Sequence, residues 1–314
     1  MTVTHAGPDG PPVVAVIGPT ATGKSDLAVD LAGRLGAEIV NADSMQLYAG
    51  MDIGTAKLPV AERNGIVHHL LDVWPLSKSA AVAEYQQLAR QTIDGIRQQG
   101  KIAILVGGSG LYLRAVLDRL DFPGESPQIR ARLQGELDRV GPAALHARLA
   151  EQDPVAAQSI LPGNGRRIVR ALEVIELTGR PFIARMPGFD SIYPAVQLGL
   201  DRPDLDERVR LRVSRMIEAG FIDEVRGLLP AGLRDSPTAA KALGYQQLLA
   251  VLDDSGRVQG DLAEAVDATV RGTLRFVRRQ RSWFRRDPRV CWLDAAEPDL
   301  VERALAQLSP TLGR

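Results

Sequence analysis

The chain has 314 residues, with 38 basic and 38 acidic side chains, 45% hydrophobic residues and 24% charged residues. This ordinary composition excludes an intrinsically disordered chain and predicts one large domain or two smaller ones with a buried core. No apolar run approaches the roughly 18 residues that a membrane span needs, so we expect a soluble protein that does not contact a membrane.

The amino terminus and the cysteine content indicate the compartment. Residues 1–12 contain no basic patch followed by an apolar run, so we interpret them as a disordered leader and not as an export signal. The single cysteine, Cys291, cannot form an internal disulfide, and the sequence has no Cys/His cluster for zinc. We therefore expect a cytoplasmic protein, and nothing in the sequence indicates more than a monomer.

Strand and helix patterns alternate through the first part of the chain. Short apolar runs predict strands at 13–17, 37–43 and 101–106, and helical spacing predicts helices that follow each of them, including one over 80–99. This alternation is typical of the α/β class, in which helices cover both faces of a parallel sheet. We assign residues 13–120 to the first part of such a core.

The pattern becomes purely helical over residues 121–192, which predicts an all-helical insertion domain. Strand character returns at 194–201, so residues 193–314 form the second part of the core. Helices are expected at 204–219, 221–229, 238–252 and 261–286, followed by a strand at 290–294 and a closing helix.

A phosphate-binding motif follows the first predicted strand and opens the first helix. Its GxxxxGKS pattern covers Gly18, Pro19, Thr20, Ala21, Thr22, Gly23, Lys24 and Ser25. Glycines let the backbone curl, the helix N-terminus attracts an anion, Lys24 adds positive charge, and Ser25 is suited to bind Mg²⁺. A simple glycine-rich turn is the weaker reading. The motif predicts a P-loop NTPase-like core that binds a diphosphate or triphosphate.

Other chemistry-bearing residues are individually ambiguous. Asp43 ends the second predicted strand, at the edge where open α/β sheets bind ligands, but it also suits a helix N-cap. The glycine-rich segment 50–59 either closes over a phosphate or forms a surface turn, and alone it favours the turn. His68 and His69 are adjacent, so they point to opposite sides of a strand and indicate a structural role instead of a metal site.

The C-terminal helix pattern is strongly basic. Eight arginines stand between residues 271 and 289, at positions 271, 275, 278, 279, 281, 285, 286 and 289, and Asp287 is the only acid among them. Like charges on one solvated face repel each other, so the pattern favours a nucleic-acid surface over an ordinary helix face.

Three classes of protein compete at this point. A small-molecule or nucleotide kinase fits the phosphate motif, Asp43 and the glycines after the strand at 101–106, but it leaves the arginines and the GMDIGTAK segment unexplained. An ATP-driven motor or switch is disfavoured, because that strand ends in Gly107-Gly108-Ser109-Gly110 without the acid that NTP hydrolases use. A free-adenylate isopentenyltransferase needs neither the insertion nor the arginines. A non-catalytic nucleic-acid-binding module leaves Lys24, Ser25 and Asp43 unexplained.

Seven segments in order resemble the bacterial tRNA dimethylallyltransferase (tRNA isopentenyltransferase) family. They are GPTATGKS, NADSMQLYAGMDIGTAK, HHLLDV, VGGSGLYLRAVLDRL, RRIVRALEVIELTG, KALGYQQ and RRQRSWFRRD, and the match runs from about residue 13 to 295. The resemblance implies a transferase that moves a dimethylallyl group from dimethylallyl diphosphate to N6 of adenosine 37. Its implied partner is a tRNA that reads codons beginning with U, gripped at its anticodon stem-loop by the insertion. The implied products are N6-isopentenyladenosine and pyrophosphate, and the implied cofactor is Mg²⁺ on Ser25.

The resemblance also implies the site residues. Residues 18–25 bind the diphosphate, with Thr20 and Lys24 on its oxygens, and Arg212 is preferred over Arg208 as a further cation. Asp43 is the implied general base, and Asp43, Ser44, Met45 and Gln46 meet the adenine. Further implied tRNA contacts are Ser109, Arg130, Arg166, Arg167, Arg170, Lys241, Gly244, Tyr245, Gln246, Arg278, Arg279, Gln280, Arg281, Trp283 and Arg285.

Overall fold

The computed structural model describes residues 10–182 and 188–312. Residues 120–190 form one compact unit, and the described residues before and after them form the other. The first of these corresponds to the insertion predicted over 121–192. The predicted leader is only partly described: residues 1–9 lie outside the described ranges, while Pro11 O accepts a hydrogen bond from Arg97 Nε at 2.7 Å.

The larger unit is built on a parallel six-stranded sheet, which confirms the predicted α/β class. Its strands are β1 (Val13–Ile17), β2 (Glu38–Asn41), β3 (His68–His69), β4 (Ala103–Gly107), β5 (Ala195–Asp201) and β6 (Val290–Asp294). The order is β3-β2-β4-β1-β5-β6, and every neighbouring pair is parallel. The carboxyl ends of β1, β2 and β4 therefore meet at one edge of the sheet, where open α/β folds bind ligands.

Helices cover both faces of this sheet. The described residues of the two units contain the helices α1 (Lys24–Leu35), α2 (Val82–Gln98), α3 (Gly110–Leu117), α4 (Pro127–Gln152), α5 (Pro154–Ser159), α6 (Gly165–Thr178), α7 (Leu205–Glu218), α8 (Phe221–Leu228), α9 (Tyr245–Leu249), α10 (Leu262–Phe284) and α11 (Leu300–Leu312). On one face α1 and α11 pack with Val14 and Val16. On the other face α2 and α3 pack with Val13 and Ala15. β1 is buried on both sides, which explains its continuous apolar sequence.

The predicted helix over 238–252 is wrong as a single element. A 3₁₀ turn at Ala239–Lys241 is followed by a break, and α9 starts only at Tyr245. The break occurs because Gly244 adopts a φ of 87°, which is outside the helical region. Gln247 Oε1 accepts a hydrogen bond from Gly244 N at 2.8 Å and fixes this bend.

The smaller unit is all-helical. Helices α4, α5 and α6 enclose an apolar core that includes Leu133, Leu149 and Leu172. α4 is kinked at Gly141, whose φ of 79° interrupts the helix just before Pro142. None of the described helices of either unit is both long enough and apolar enough to span a membrane.

The two histidines on the edge strand β3 have structural contacts. His69 Nε2 lies 2.7 Å from Glu38 Oε2, and Lys101 Nζ donates to Glu38 Oε1 at 2.6 Å. These two partners lower the pKa of Glu38. His68 Nδ1 lies 2.9 Å from Ile66 O. His69 therefore links β3 to β2, while the contact of His68 is local to its own segment.

A buried ionic cluster connects the segment after α10 to Asp118 and Ser191. These two residues lie next to the points where the chain leaves the larger unit and returns to it. Arg289 donates to Asp118 Oδ1 at 2.6 Å, to Ser191 Oγ at 2.6 Å and to Asp287 Oδ2 at 2.6 Å. Asp118 is fully buried and also accepts from Arg114 Nε at 2.6 Å. Burial alone would raise the pKa of Asp287, but its hydrogen bonds with Arg289 outweigh burial and lower this pKa.

We predict that Arg289→Met lowers the free energy of unfolding by about 3 kcal/mol, because it leaves the buried carboxylate of Asp287 without its arginine partner. Denaturant unfolding at neutral pH measures this loss. The paired Asp287 contributes stability above the ordinary Asp pKa and loses it as the pH falls below that value, so the difference between the two proteins shrinks in acid. Arg289→Lys keeps the charge and is expected to lose less. Equal stability of Arg289→Met and the parent chain would contradict a stabilising cluster.

Candidate active site

The loop between β1 and α1 curls into a cradle whose shape suits an anion. Gly18 and Gly23 have φ values of 140° and 89°, which favour glycine, and a Cβ on Gly18 would lie 2.3 Å from Leu200 O. Thr22 Oγ1 donates to Pro19 O at 2.9 Å and stabilises the curl. Since α1 begins at Lys24, the loop presents the positive end of a helix to the cavity above the sheet.

Cations from two elements converge on this cradle. Lys24 Nζ donates to Pro19 O at 2.6 Å, and Arg208 Nε of α7 donates to Ala21 O at 2.8 Å. Burial and the neighbouring charge of Arg212 lower the pKa of Lys24 to about 7, while Asp43 opposes this shift. Burial also lowers the pKa of Arg212. The cradle is therefore a region of positive potential that a bound anion would relieve.

Asp43 lies directly after β2, at the carboxyl edge of the sheet. Its backbone N–H donates to Asn41 Oδ1 at 2.9 Å, and its own Oδ1 accepts from Met45 N at 2.9 Å. No helix begins at Asp43, so the helix N-cap alternative is wrong. The local turn instead fixes the carboxylate beside the cradle, where its charge acts on both Lys24 and Arg212.

Two cavities meet at this carboxylate. One, of about 710 Å³, contains the cradle, and the other, of about 680 Å³, extends between α3 and α10. Six residues line both cavities: Thr20, Asp43, Thr55, Gly108, Arg212 and Met216. A molecule in the first cavity and a molecule in the second can therefore meet at Asp43 and Arg212.

Helix α10 is attached directly to the cradle by Gln280. Its Oε1 accepts from Thr20 N at 3.0 Å, and its Nε2 donates to Gly108 O at 2.9 Å. A Cβ on Gly108 would lie 2.3 Å from Gln280 Nε2, and a Cβ on Gly110 would lie 2.1 Å from the Trp283 ring. Gly108 and Gly110, which follow β4, are therefore needed for the close approach of α10.

The 50–57 loop is a wall of both cavities and not a simple surface turn. Its Thr55 lines the two cavities. Lys57 is buried, and its Nζ donates to Asp52 Oδ1 and Asp72 Oδ1, both at 2.5 Å, and to Tyr48 O at 3.1 Å. Lys57 therefore holds the loop in place through these three acceptors.

Several predicted tRNA contacts of the larger unit line the second cavity. These are Ser44, Met45, Ser109, Lys241, Gln246, Arg279 and Trp283. Gln46 instead lines the first cavity, and its Nε2 donates to Thr55 O at 3.1 Å. Gly244 is buried at the bend before α9.

Two further predicted tRNA contacts have structural partners. Tyr245 is fully buried and donates to Glu224 Oε1 at 2.5 Å. Gln280, on the buried side of α10, bridges Thr20 and Gly108. Tyr245 lines neither of the two cavities, whereas Gln280 lines the second. Contact of either side chain with tRNA remains a prediction.

The row of C-terminal arginines is partly neutralised by acids that are distant in the sequence. Arg281 and Arg285 both pair with Asp201, at 2.7 and 3.2 Å, and Arg271 pairs with Glu264. Arg278 and Arg279 are exposed, and the Arg279 guanidinium lies 5.7 Å from the centroid of the Phe276 ring. The basic surface of α10 is therefore smaller than the sequence pattern predicts, because these ion pairs compensate part of its charge.

In the helical unit, the four predicted arginines separate into two kinds. Arg130 and Arg170 donate to the buried carboxylate of Glu173, at 2.8 and 3.0 Å. Arg166 and Arg167 are exposed in the first turn of α6. The exposed pair is thus better suited to a phosphate backbone.

The cradle also provides groups that suit Mg²⁺. Ser25 and Asp43 line the same cavity, and residues 10–182 and 188–312 contain no group of three or more His, Cys, Asp or Glu side chains suited to hold a metal. Mg²⁺ commonly keeps several waters and binds one or two protein oxygens together with substrate phosphates. The donor set therefore fits an ion that arrives with a diphosphate.

Sequence reasoning missed Thr55, Gly108 and Met216 as residues where the cavities meet. The sequence signal for the first two was present, in the GMDIGTAK and GGSG segments, but neither segment revealed which side faces a cavity. Met216 follows Arg212 by one helical turn on α7, so the spacing alone predicts a shared face once Arg212 is assigned.

Comparisons with known proteins identify the family of the chain. A family model described as IPP transferase matches residues 46–287. The chain is 61% identical to a tRNA dimethylallyltransferase of Streptomyces coelicolor over 306 residues, which is 97% of each chain. It is 62% identical to one of Thermobifida fusca, covering 94% of this chain and 93% of that protein.

Solved structures show the same architecture. The full-length tRNA isopentenylpyrophosphate transferase of Bacillus halodurans superposes with a TM-score of 0.68 at 38% identity, covering 95% of this chain and 97% of that one. A eukaryotic dimethylallyltransferase, captured acting on tRNA, superposes with a TM-score of 0.82, covering 98% of this chain and 80% of that one; at 23% identity it shows the fold alone. The chain belongs to the IPP transferase family of tRNA dimethylallyltransferases.

Proposed function

We propose that this chain transfers the dimethylallyl group of dimethylallyl diphosphate to N6 of adenosine 37 in tRNAs that read U-starting codons. The products are N6-isopentenyladenosine and pyrophosphate. The observation that carries the proposal is that Asp43 and Arg212 line both cavities. One cavity suits a diphosphate, the other suits a base, and the reacting atoms meet between them. The tRNA substrate implies that the protein acts in the cytoplasm.

The cradle binds the leaving group. As the bond between the allylic C1 and oxygen breaks, its electron pair remains on pyrophosphate. Lys24, Arg212, Thr20 and the N-terminal amides of α1 stabilise this charge where it develops. Mg²⁺, held by Ser25 and the diphosphate oxygens, would add positive charge to the same leaving group.

Asp43 assists the nucleophile. The N6 lone pair of adenine is delocalised into the ring, which makes the amine weakly nucleophilic. Asp43 accepts a hydrogen bond from N6 and takes its proton as the new bond between nitrogen and carbon forms. General-base assistance of this kind typically contributes about 10²–10⁴ in rate. The Met45 N–H on its Oδ1 keeps the carboxylate oriented before substrate arrives.

The exposed cations are suited to the RNA backbone. In the larger unit these are Lys241, Arg278 and Arg279, and in the helical unit Arg166 and Arg167. Their contacts with phosphates would offset the few kcal/mol that it costs to flip adenine out of its stack. Trp283 lines the second cavity and offers a ring surface for a flipped base.

We predict that Asp43→Ala lowers single-turnover prenylation by about 10²–10⁴-fold, because general-base assistance is lost. Mass spectrometry of nucleosides from treated, unmodified tRNA measures the product. A gel shift on the same variant is expected to show nearly unchanged tRNA binding. Asp43→Asn keeps the size of the side chain and is expected to be similarly slow.

Two parallel incubations separate the competing functions. With dimethylallyl diphosphate and an anticodon stem-loop, the parent chain is expected to form N6-isopentenyladenosine. With γ-labelled ATP, it is expected to transfer no label. Phosphoryl transfer without prenylation would establish a kinase instead. Undiminished prenylation by Asp43→Ala would reject the base assignment while leaving the transferase in place.

The low pKa of Lys24 predicts proton uptake when an anion binds. Because this pKa is about 7 in the free protein, most Lys24 side chains are neutral at pH 8. A bound pyrophosphate favours the ammonium form, so binding takes up a proton and affinity falls as the pH rises above 7, by at most about tenfold per pH unit.

Titration calorimetry with pyrophosphate in buffers of different ionisation enthalpy measures this uptake. Lys24→Arg stays charged throughout and is the matched control that reports protonation of pyrophosphate itself. Equal proton uptake by the parent chain and Lys24→Arg would contradict the titration of Lys24.

A further inference from the structure

We propose that Glu224 is a positioning residue for prenyl transfer, acting through the 50–57 loop without touching either substrate. The inference rests on the proposed function for its kinetic part only. Glu224 lies in the first turn of α8 and is not among the residues that line either cavity.

The carboxylate of Glu224 collects four hydrogen bonds. Its Oε2 accepts from Asp52 N at 2.9 Å and Ile53 N at 2.6 Å. Its Oε1 accepts from Gly54 N at 3.1 Å and from the hydroxyl of Tyr245 at 2.5 Å. Three successive backbone N–H groups on one anion form the arrangement with which proteins often bind phosphate. Here the protein's own carboxylate occupies it, so these amides hold the loop and not a ligand.

The aromatic packing around this contact leaves the loop little freedom. The rings of Phe221 and Tyr245 meet edge to face, with centroids 4.9 Å apart. A Cβ on Gly54 would lie 2.2 Å from the Phe221 ring and 2.5 Å from the Tyr245 ring. Burial, with the nearby Glu224 charge, raises the pKa of Tyr245, so its hydroxyl stays a donor at neutral pH. Gly54 is thus fixed both by its N–H and by its contact with two buried rings.

The next residue of the loop transmits this position to the site. Thr55 O accepts from Gln46 Nε2 at 3.1 Å and from Arg212 Nη2 at 3.4 Å. Arg212 is the cation that lines both cavities, and Thr55 lines them as well. Releasing the amides of residues 52–54 would therefore move the carbonyl that orients Arg212. A displacement of about 1 Å at a reacting site can cost about 10²-fold in rate.

The expected result is that Glu224→Ala lowers kcat/KM for dimethylallyl diphosphate by about 10²-fold and weakens binding of inorganic pyrophosphate. Its affinity for the anticodon stem-loop should stay within threefold of the parent value. Glu224→Gln keeps one acceptor oxygen and is expected to recover part of the loss, and Tyr245→Phe, which removes one of four donors, should lose less than Glu224→Ala. Asp223→Asn, on the same turn but paired with Arg226, is the matched control and should behave like the parent.

A double-mutant cycle with Arg212→Ala distinguishes positioning from a general loss of stability. If Glu224 acts through the carbonyl that orients Arg212, the combined loss is smaller than the product of the single losses. Multiplicative losses, or a folded Glu224→Ala with kcat/KM within threefold of the parent, would overturn the proposal. Pyrophosphate binding needs no prenylation, so it tests Glu224 even if the parent chain were to form no prenylated nucleoside, which would refute the proposed function alone.

Discussion

The site depends on the attraction between one carboxylate and two cations that the fold keeps at the same edge of the sheet. Asp43 follows β2, Lys24 opens the helix after β1, and Arg212 comes from α7, which is distant in sequence. Burial disfavours the charge on both cations, and Asp43 favours it. An incoming diphosphate would add negative charge to this region and would favour the charged forms of Lys24 and Arg212. The carboxylate of Asp43 would then be available to accept a proton from the nucleophile.

Several side chains around these groups hold the backbone segments that line the cavities. Gln280 joins α10 to Thr20, Glu224 joins α8 to the 50–57 loop, and Lys57 fixes that loop from below. Gln280 and Glu224 link helices late in the chain to earlier segments that line a cavity. Lys57 is a buried side chain that holds its own loop. The P-loop is therefore one part of a site whose other walls are held in place by hydrogen bonds of Gln280, Glu224 and Lys57.

The fold could be predicted from the sequence because its signals are local. Apolar runs identified the central strands, and the motif after β1 located the cradle. Long-range pairing was not predictable: Asp201 neutralises Arg281 and Arg285 across some 80 positions, so the arginine pattern overstated the basic surface. Tyr245 and Gln280 look like surface residues in a helical pattern, and only the packing of α8 and α10 shows that they are buried. The bend at Gly244 was missed because its effect depends on a φ value that periodicity does not reveal.

The most direct test of the account is a crystal structure of the chain with pyrophosphate and an anticodon stem-loop. Pyrophosphate is expected in the loop of residues 18–25, with an oxygen on Lys24 Nζ. The flipped adenine is expected in the second cavity, with N6 about 3 Å from a carboxylate oxygen of Asp43. An adenine whose N6 faces another group, or a pyrophosphate bound outside the cradle, would contradict it.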